Sequence, residues 1–204
     1  MLRALFDKYE CDKGHKHSYE DVYEPEFAPI REEELNILEI GIFKGASTQA
    51  WLEYFPNAKI YCIDLFDRVP MLSLEIINEA RVSAIQGSSM SYHTVNKMNH
   101  AWPDIKFDII IDDGKHTPDA NRETFDLMFP MLKEDGSYYI EDVFPLDIMT
   151  QQELNHPWVL RHNEEYNIMK MMKFLTTVEK HNVTRFDNRK TTGEPDSYIF
   201  KVTR

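Results

Sequence analysis

Cysteine, glycine and clustered basic residues are scarce in this 204-residue sequence, and it has no long apolar run. Two cysteines, Cys11 and Cys62, do not make a disulfide framework, which points to a reducing compartment. No stretch approaches the roughly 20 apolar residues that a bilayer span requires. The opening MLRALFDKYECDKG acquires charge too early for a secretory signal. Lys and Arg number 23 against 35 Asp and Glu, a formal net charge of −12, and no basic run is present. Phosphate backbones need clustered cations to displace counterions, so a nucleic-acid partner is disfavoured. A soluble, cytoplasmic protein with no membrane partner is expected. With only seven glycines, any that stands at a turn is informative.

What is present is a rhythm. Residues 1–9 carry Leu2, Leu5 and Phe6 on one side of a short amphipathic helix, and CDKGHKHSYEDVYEPEF reads as a loop or lid. From Leu35, strands and helices alternate. Strands are expected at 35–40, 59–64, 81–87, 107–113 and 137–143, and helices at 46–55, 70–80, 91–100 and 118–132. Residues 144–165 are irregular, 167–180 form a Met-rich helix, and NVTRFD and SYIFKV pair as a terminal hairpin. This pattern predicts an α/β fold, a doubly wound, mostly parallel sheet covered by helices on both faces. One domain is expected over 1–204, with 1–34 as lead-in or lid and 35–204 as a Rossmann-like core. Ligands of such sheets bind beyond the carboxyl ends of the strands.

The residues at those ends are distinctive. Glu39, Gly41 and Gly45 mark the first strand-to-helix turn, where glycine lets the backbone approach a ligand. Phe43 breaks a GxGxxG pattern, which weakens the case for a dinucleotide and a nicotinamide-dependent oxidoreductase. Glu39 suits a cationic group such as an amino-acid amine. Asp64 ends the second strand, placed to accept from two ribose hydroxyls, and Gly87, Ser88 and Ser89 close the third, near an adenine edge. An adenosine with a charged amino-acid part is S-adenosylmethionine (SAM), the expected cofactor. Asp112, ending the fourth strand, is placed on the cofactor side.

IIIDDGKHTPDAN brings Asp113 and His116 to the end of the fourth strand, and YIED brings Glu141 and Asp142 to the end of the fifth. Three neighbouring carboxylates repel unless a proton or a cation neutralises them. A hard divalent ion such as Mg²⁺ is the natural choice, although one acid at a strand end also suits a helix N-cap. Tyr19, Tyr23 and Phe27 suit either an aromatic lid or edge packing. Met169, Met171 and Met172, with Phe174 and Leu175, suit helix core, an acceptor pocket or a dimer contact. His156, Trp158, Arg161 and His162 lie where acceptor specificity is expected.

ExGxxxG followed by an acid on the second strand resembles motifs I and II of class I SAM-dependent methyltransferases, which implies a seven-stranded sheet whose last strand is antiparallel. DDGxH followed by IED more closely resembles the metal-dependent sugar O-methyltransferases of the macrocin and mycinamicin type. The lead-in matches as well, at Asp12, Lys13, Gly14, His17 and Tyr19. The resemblance implies Asp113, Glu141 and Asp142 as metal ligands and His116 as general base. Lys115 departs from that family's small polar residue, and little sequence precedes the first strand for the extra domain some members carry. The expected activity is divalent-metal-assisted methylation of a small-molecule hydroxyl, on a sugar or glycosylated metabolite. A catechol-type acceptor, a non-catalytic SAM- or metal-binding role and the oligomeric state stay open.

Overall fold

Short apolar runs, buried on both faces, build the centre of the molecule. The computed structural model describes residues 1–204. β1 (Asn36–Ile40), β2 (Lys59–Asp64), β3 (Val82–Gln86), β4 (Phe107–Asp112) and β5 (Leu132–Ile140) run parallel. β7 (Tyr198–Thr203) pairs antiparallel with β5, and β6 (Asn182–Asp187) pairs antiparallel with β7. The seven-stranded sheet has the order β3-β2-β1-β4-β5-β7-β6. Strand order reverses between β1 and β4, so the crevice for a ligand opens at their carboxyl ends.

Each face carries its own core. Leu38, Ile40, Ile110, Tyr138 and Ile140 face α6 (Pro118–Met128) and α9 (Ile168–Val178). Ile37, Ile109, Ile111 and Tyr139 face α1 (Leu2–Lys8), α2 (Asp12–His15), α3 (Glu20–Phe27) and α4 (Ala46–Tyr54). Continuing the alternation two residues beyond Ile37 in β1, Ile111 in β4 and Tyr139 in β5 aims Glu39, Asp113 and Glu141 toward the lead-in face.

The lead-in departs from the loop reading. Tyr19, Val22, Tyr23 and Phe27 recur at helical spacing, a stripe that the surrounding charges and Pro25 obscure in the sequence. All four are buried. Tyr23 stacks on Phe27 at 5.0 Å, and both meet Trp51 of α4 edge-on. These aromatic residues are core, packed under the sheet edge. The helix expected at 70–80 is absent: two 3-10 turns, Met71–Ser73 and Glu75–Asn78, are broken by extended Leu74 (ψ 110°). Leu74 and Ile76 are both buried at a spacing of two, which a helix does not satisfy.

Two short helices, α7 (Gln151–Leu154) and α8 (Pro157–Arg161), punctuate the irregular stretch, and α5 (Tyr92–Ala101) covers β3 and β4. α10 (Arg189–Thr192) sits in the hairpin turn. In α9, Met171 is fully buried while Met169 and Met172 are exposed. No helix is long and apolar enough to cross a membrane.

Both cysteines are buried and unpaired. Burial pushes the Cys11 thiol up to about 12 and the Cys62 thiol well above its ordinary range. Since the thiolate is the reactive form, Ellman's reagent is expected to label neither cysteine in the native protein and both in denaturant. Fast labelling without denaturant would contradict this packing.

Candidate active site

The turn after β1 is set by two left-handed glycines, Gly41 (φ 82°) and Gly45 (φ 78°), the latter capping α4. A side chain on Gly41 would run into the backbone carbonyl of Asp113, so the glycine lets the ends of β1 and β4 close together. Asp64 braces this turn: its Oδ2 accepts from the Ile42 and Phe43 amides at 2.8 and 3.1 Å, and its Oδ1 from the Phe66 amide at 2.7 Å. Gly87 donates its amide to the Asp64 carbonyl at 2.9 Å. Ser89 bonds Thr124 across the crevice at 2.8 Å, and Ser88 accepts from the Met90 amide. Gly41, Gly45, Asp64, Gly87, Ser88 and Ser89 thus share one edge of the sheet, as expected from their places at strand ends.

Glu39 does not stand open to that edge. It is fully buried, and accepts from Thr48 Oγ1 at 2.6 Å and Trp51 Nε1 at 3.0 Å. Burial holds its carboxyl above the ordinary range, against the pull of Lys13 and of bonds from Ser47 and Thr48. To receive a ligand amine it would exchange one of these partners. Asp112 faces the opposite layer, where Tyr138 donates to it at 3.3 Å and the Gly114 amide at 3.3 Å; burial pushes its carboxyl up to about 7.

At the ends of β4 and β5, one ligand atom each from Asp113, His116 and Asp142 lies within 4.8 Å of the others. His116 Nε2 is 3.6 Å from Asp113 Oδ1, and its Nδ1 is 3.4 Å from the Glu141 carbonyl. A carbonyl only accepts, so this contact is a hydrogen bond in the tautomer that carries its proton on Nδ1, which turns Nε2 toward Asp113. Asp142 sits in left-handed backbone (φ 51°), which Asp tolerates better than most residues and which ends the strand. Tyr19 brackets it, donating to Oδ1 at 2.6 Å while accepting from the Asp142 amide at 3.2 Å. Burial, and then the neighbouring Asp113, holds the Asp142 carboxyl above its usual range.

Glu141 is placed differently from the other two acids. It is 1% exposed, with its oxygens taken by Lys13 Nζ and the Tyr23 hydroxyl. Lys13 Nζ also donates to Asp113 Oδ2 at 2.6 Å. Burial works to lower the Lys13 pKa, but Asp113 and then Glu141 outweigh it and hold the ammonium well above its ordinary range. His17, equally buried, stacks on Tyr19, bonds Ser197 Oγ at 2.8 Å through Nδ1, and points Nε2 at Asp142 Oδ2, 3.6 Å away. Sequence reasoning gave Lys13, His17, Tyr19 and Tyr23 no role at the acids. A lysine in a polar stretch carries no signal of burial; only the topology that lays α2 across β4 and β5 supplies it.

The chain is similar in sequence and fold to known proteins. A family model described as a methyltransferase domain matches residues 38–143, from β1 to just past Asp142. L-Olivosyl-oleandolide 3-O-methyltransferase of Streptomyces antibioticus is 34% identical over 151 residues, covering 70% of this chain and 37% of that protein. Mycinamicin VI 2''-O-methyltransferase of Micromonospora griseorubida is 29% identical, covering 70% and 36%. The chain therefore spans just over a third of the length of these relatives. Among solved structures, the MycE methyltransferase of the mycinamycin biosynthetic pathway, in complex with Mg, SAH and mycinamycin VI, superposes with a TM-score of 0.69. It is 23% identical and covers 99% of this chain and 54% of that one. The fold extends to the SAH-bound Podospora anserina methyltransferase PaMTH1, with a TM-score of 0.57 and 16% identity over 82% of this chain and 70% of that one. With more than half of its residues matched by the family model, and its sheet in the same arrangement, the chain belongs to the methyltransferase-domain family.

Proposed function

We propose that this chain transfers a methyl group from SAM to a hydroxyl of a glycosylated small molecule, with a divalent cation at the acidic cluster. The observation that carries the reading is the convergence of Asp113, His116 and Asp142 beside the Gly41 turn. The names of the relatives, O-methyltransferases of sugar-bearing molecules, support the acceptor class.

The residues fit both groups. Carboxylate oxygens are hard donors suited to Mg²⁺, and Asp113 and Asp142 would hold the ion, with Glu141 the third carboxylate nearby. Gly41, Gly45, Asp64, Gly87, Ser88 and Ser89 line the edge assigned to SAM, with Glu39 and Asp112 buried beneath it on opposite faces of the sheet. When bound, SAM supplies an electrophilic methyl group, and the cation supplies Lewis acidity toward an acceptor oxygen. His116 takes the hydroxyl proton on Nε2, as its Nδ1–H stays on the Glu141 carbonyl and fixes the ring. Tyr19 keeps the Asp142 carboxylate oriented through this exchange. The net charge of −12 argues against a polyanionic acceptor.

Calorimetric titration of SAM into the folded protein, with NAD as control, tests the cofactor. Micromolar SAM binding without NAD binding is expected. A folded sample that takes up no SAM, with or without Mg²⁺, would overturn the proposal.

A further inference from the structure

We propose that Lys13 is a resident cation of the acidic cluster, which answers one of its charges and competes with a divalent ion for Asp113 and Glu141. The inference rests on the metal reading given above and goes beyond it. Strand alternation turns Asp113 and Glu141 toward the lead-in face, and α2 delivers the Lys13 ammonium between them. At 2% exposure Lys13 has no route to water, so its charge is sustained by these two carboxylates. Glu141 accepts from Lys13 on one oxygen and from Tyr23 on the other, so a divalent ion would have to compete with both donors. Asp113 gives Oδ2 to Lys13 and leaves Oδ1 facing His116.

A second observation shows that the cluster is built for something besides the lysine. His17 is 1% exposed, its Nε2 has no hydrogen-bond partner, and that atom is aimed at Asp142 Oδ2. A buried polar atom left unpaired costs stability, and this one borders the open part of the cluster. Asp113, Glu141 and Asp142 are three carboxylates facing a single ammonium, an excess of acidic groups that one divalent ion would offset.

Lys13 is therefore a positioning residue with two effects. It holds the carboxylates together when no metal is bound, and it weakens the binding of the metal that arrives. Like charges at such short range in a poorly solvated site repel strongly, so removing the ammonium releases Glu141 and strengthens the site. A merely structural lysine predicts the opposite, because its loss would loosen the ligands.

The test is calorimetric titration of Mn²⁺ into metal-stripped wild type, Lys13→Met, Lys13→Arg and Asp113→Asn. Lys13→Met is expected to bind Mn²⁺ at least about ten-fold tighter than wild type, in line with loss of a repulsive buried charge. Lys13→Arg should stay close to wild type, and Asp113→Asn should lose binding. Equal or weaker binding by Lys13→Met, with Mn²⁺ still bound by wild type, overturns the role of Lys13 alone. No Mn²⁺ uptake by wild type overturns the metal reading and this inference with it. A further measurement needs no variant: wild type in EDTA should keep its near-UV circular dichroism and melt cooperatively. Loss of that signal on stripping would show that the lysine does not hold the carboxylates, and would overturn the inference even if Lys13→Met failed to fold.

Discussion

Methyl transfer by His116→Ala is expected to fall by about 10²- to 10⁴-fold, the usual worth of a positioned general base. The loss should appear in kcat, because His116 faces Asp113 and the Glu141 carbonyl and is not among the residues assigned to SAM. SAM affinity should stay within about two-fold of wild type, the pattern of an interaction used only in the transition state. The proton inventory makes the expectation specific. With Nδ1 committed to the Glu141 carbonyl, Nε2 is the one basic nitrogen turned toward Asp113. Single-turnover transfer of radiolabelled methyl to a hydroxylated acceptor measures the chemical step directly. Turnover of His116→Ala at the wild-type rate would remove the histidine from the mechanism and leave deprotonation to another group.

The largest effect on stability is expected from Gly41→Ala. The added methyl group meets two penalties. At φ 82° an L-residue occupies left-handed backbone, at about 1–2 kcal/mol. The new Cβ would also overlap the Asp113 carbonyl, a backbone atom pinned because the Asp113 amide donates to the Ile40 carbonyl at 2.9 Å. Relief requires β1 and β4 to part at their carboxyl ends. A total near 4 kcal/mol fits a strained backbone combined with overpacking, and it would lower the melting temperature by roughly 10 °C in a chain of this size. SAM binding and divalent-ion binding should weaken together, since the turn and Asp113 move as one. A variant that melts within a degree of wild type would mean that the two strand ends are not in contact. Gly193, at φ 79° with open space around it, is the control: there only the backbone penalty applies.

The core of the fold was legible because it is written in short-range pattern. IIIDD and YYIED show a buried strand ending in acids, and parallel strands can place those acids only at one edge. Gly41 and Gly45 announced a tight turn, although the Asp113 carbonyl that makes Gly41 irreplaceable belongs to another strand. The lead-in was harder to read. Its helical stripe of Tyr19, Val22, Tyr23 and Phe27 is diluted by seven acidic and basic neighbours over 12–27, and the lead-in's polar partners lie a hundred or more residues away. Glu39 was read from position alone as facing a ligand. Its partners Thr48 and Trp51 lie on the next helix, and only packing of α4 against β1 shows that they use both of its oxygens. Acids, in short, advertise themselves at strand ends, whereas what neutralises them does not.

The lysine between two strand ends also constrains how the chain acquires its shape. Lys13 and Glu141 are separated by 128 residues, and His17 and Ser197 by 180. Contacts of that span are entropically the slowest to form. During synthesis α2 leaves the ribosome before the strands that receive it, and the segment carrying Ser197 follows them. The acidic edge therefore cannot be completed until β4 and β5 have paired and Ser197 has docked on His17. Until then Tyr23 and Phe27 have Trp51 of α4 beside them but lack Tyr139 of β5, which leaves part of their apolar surface open.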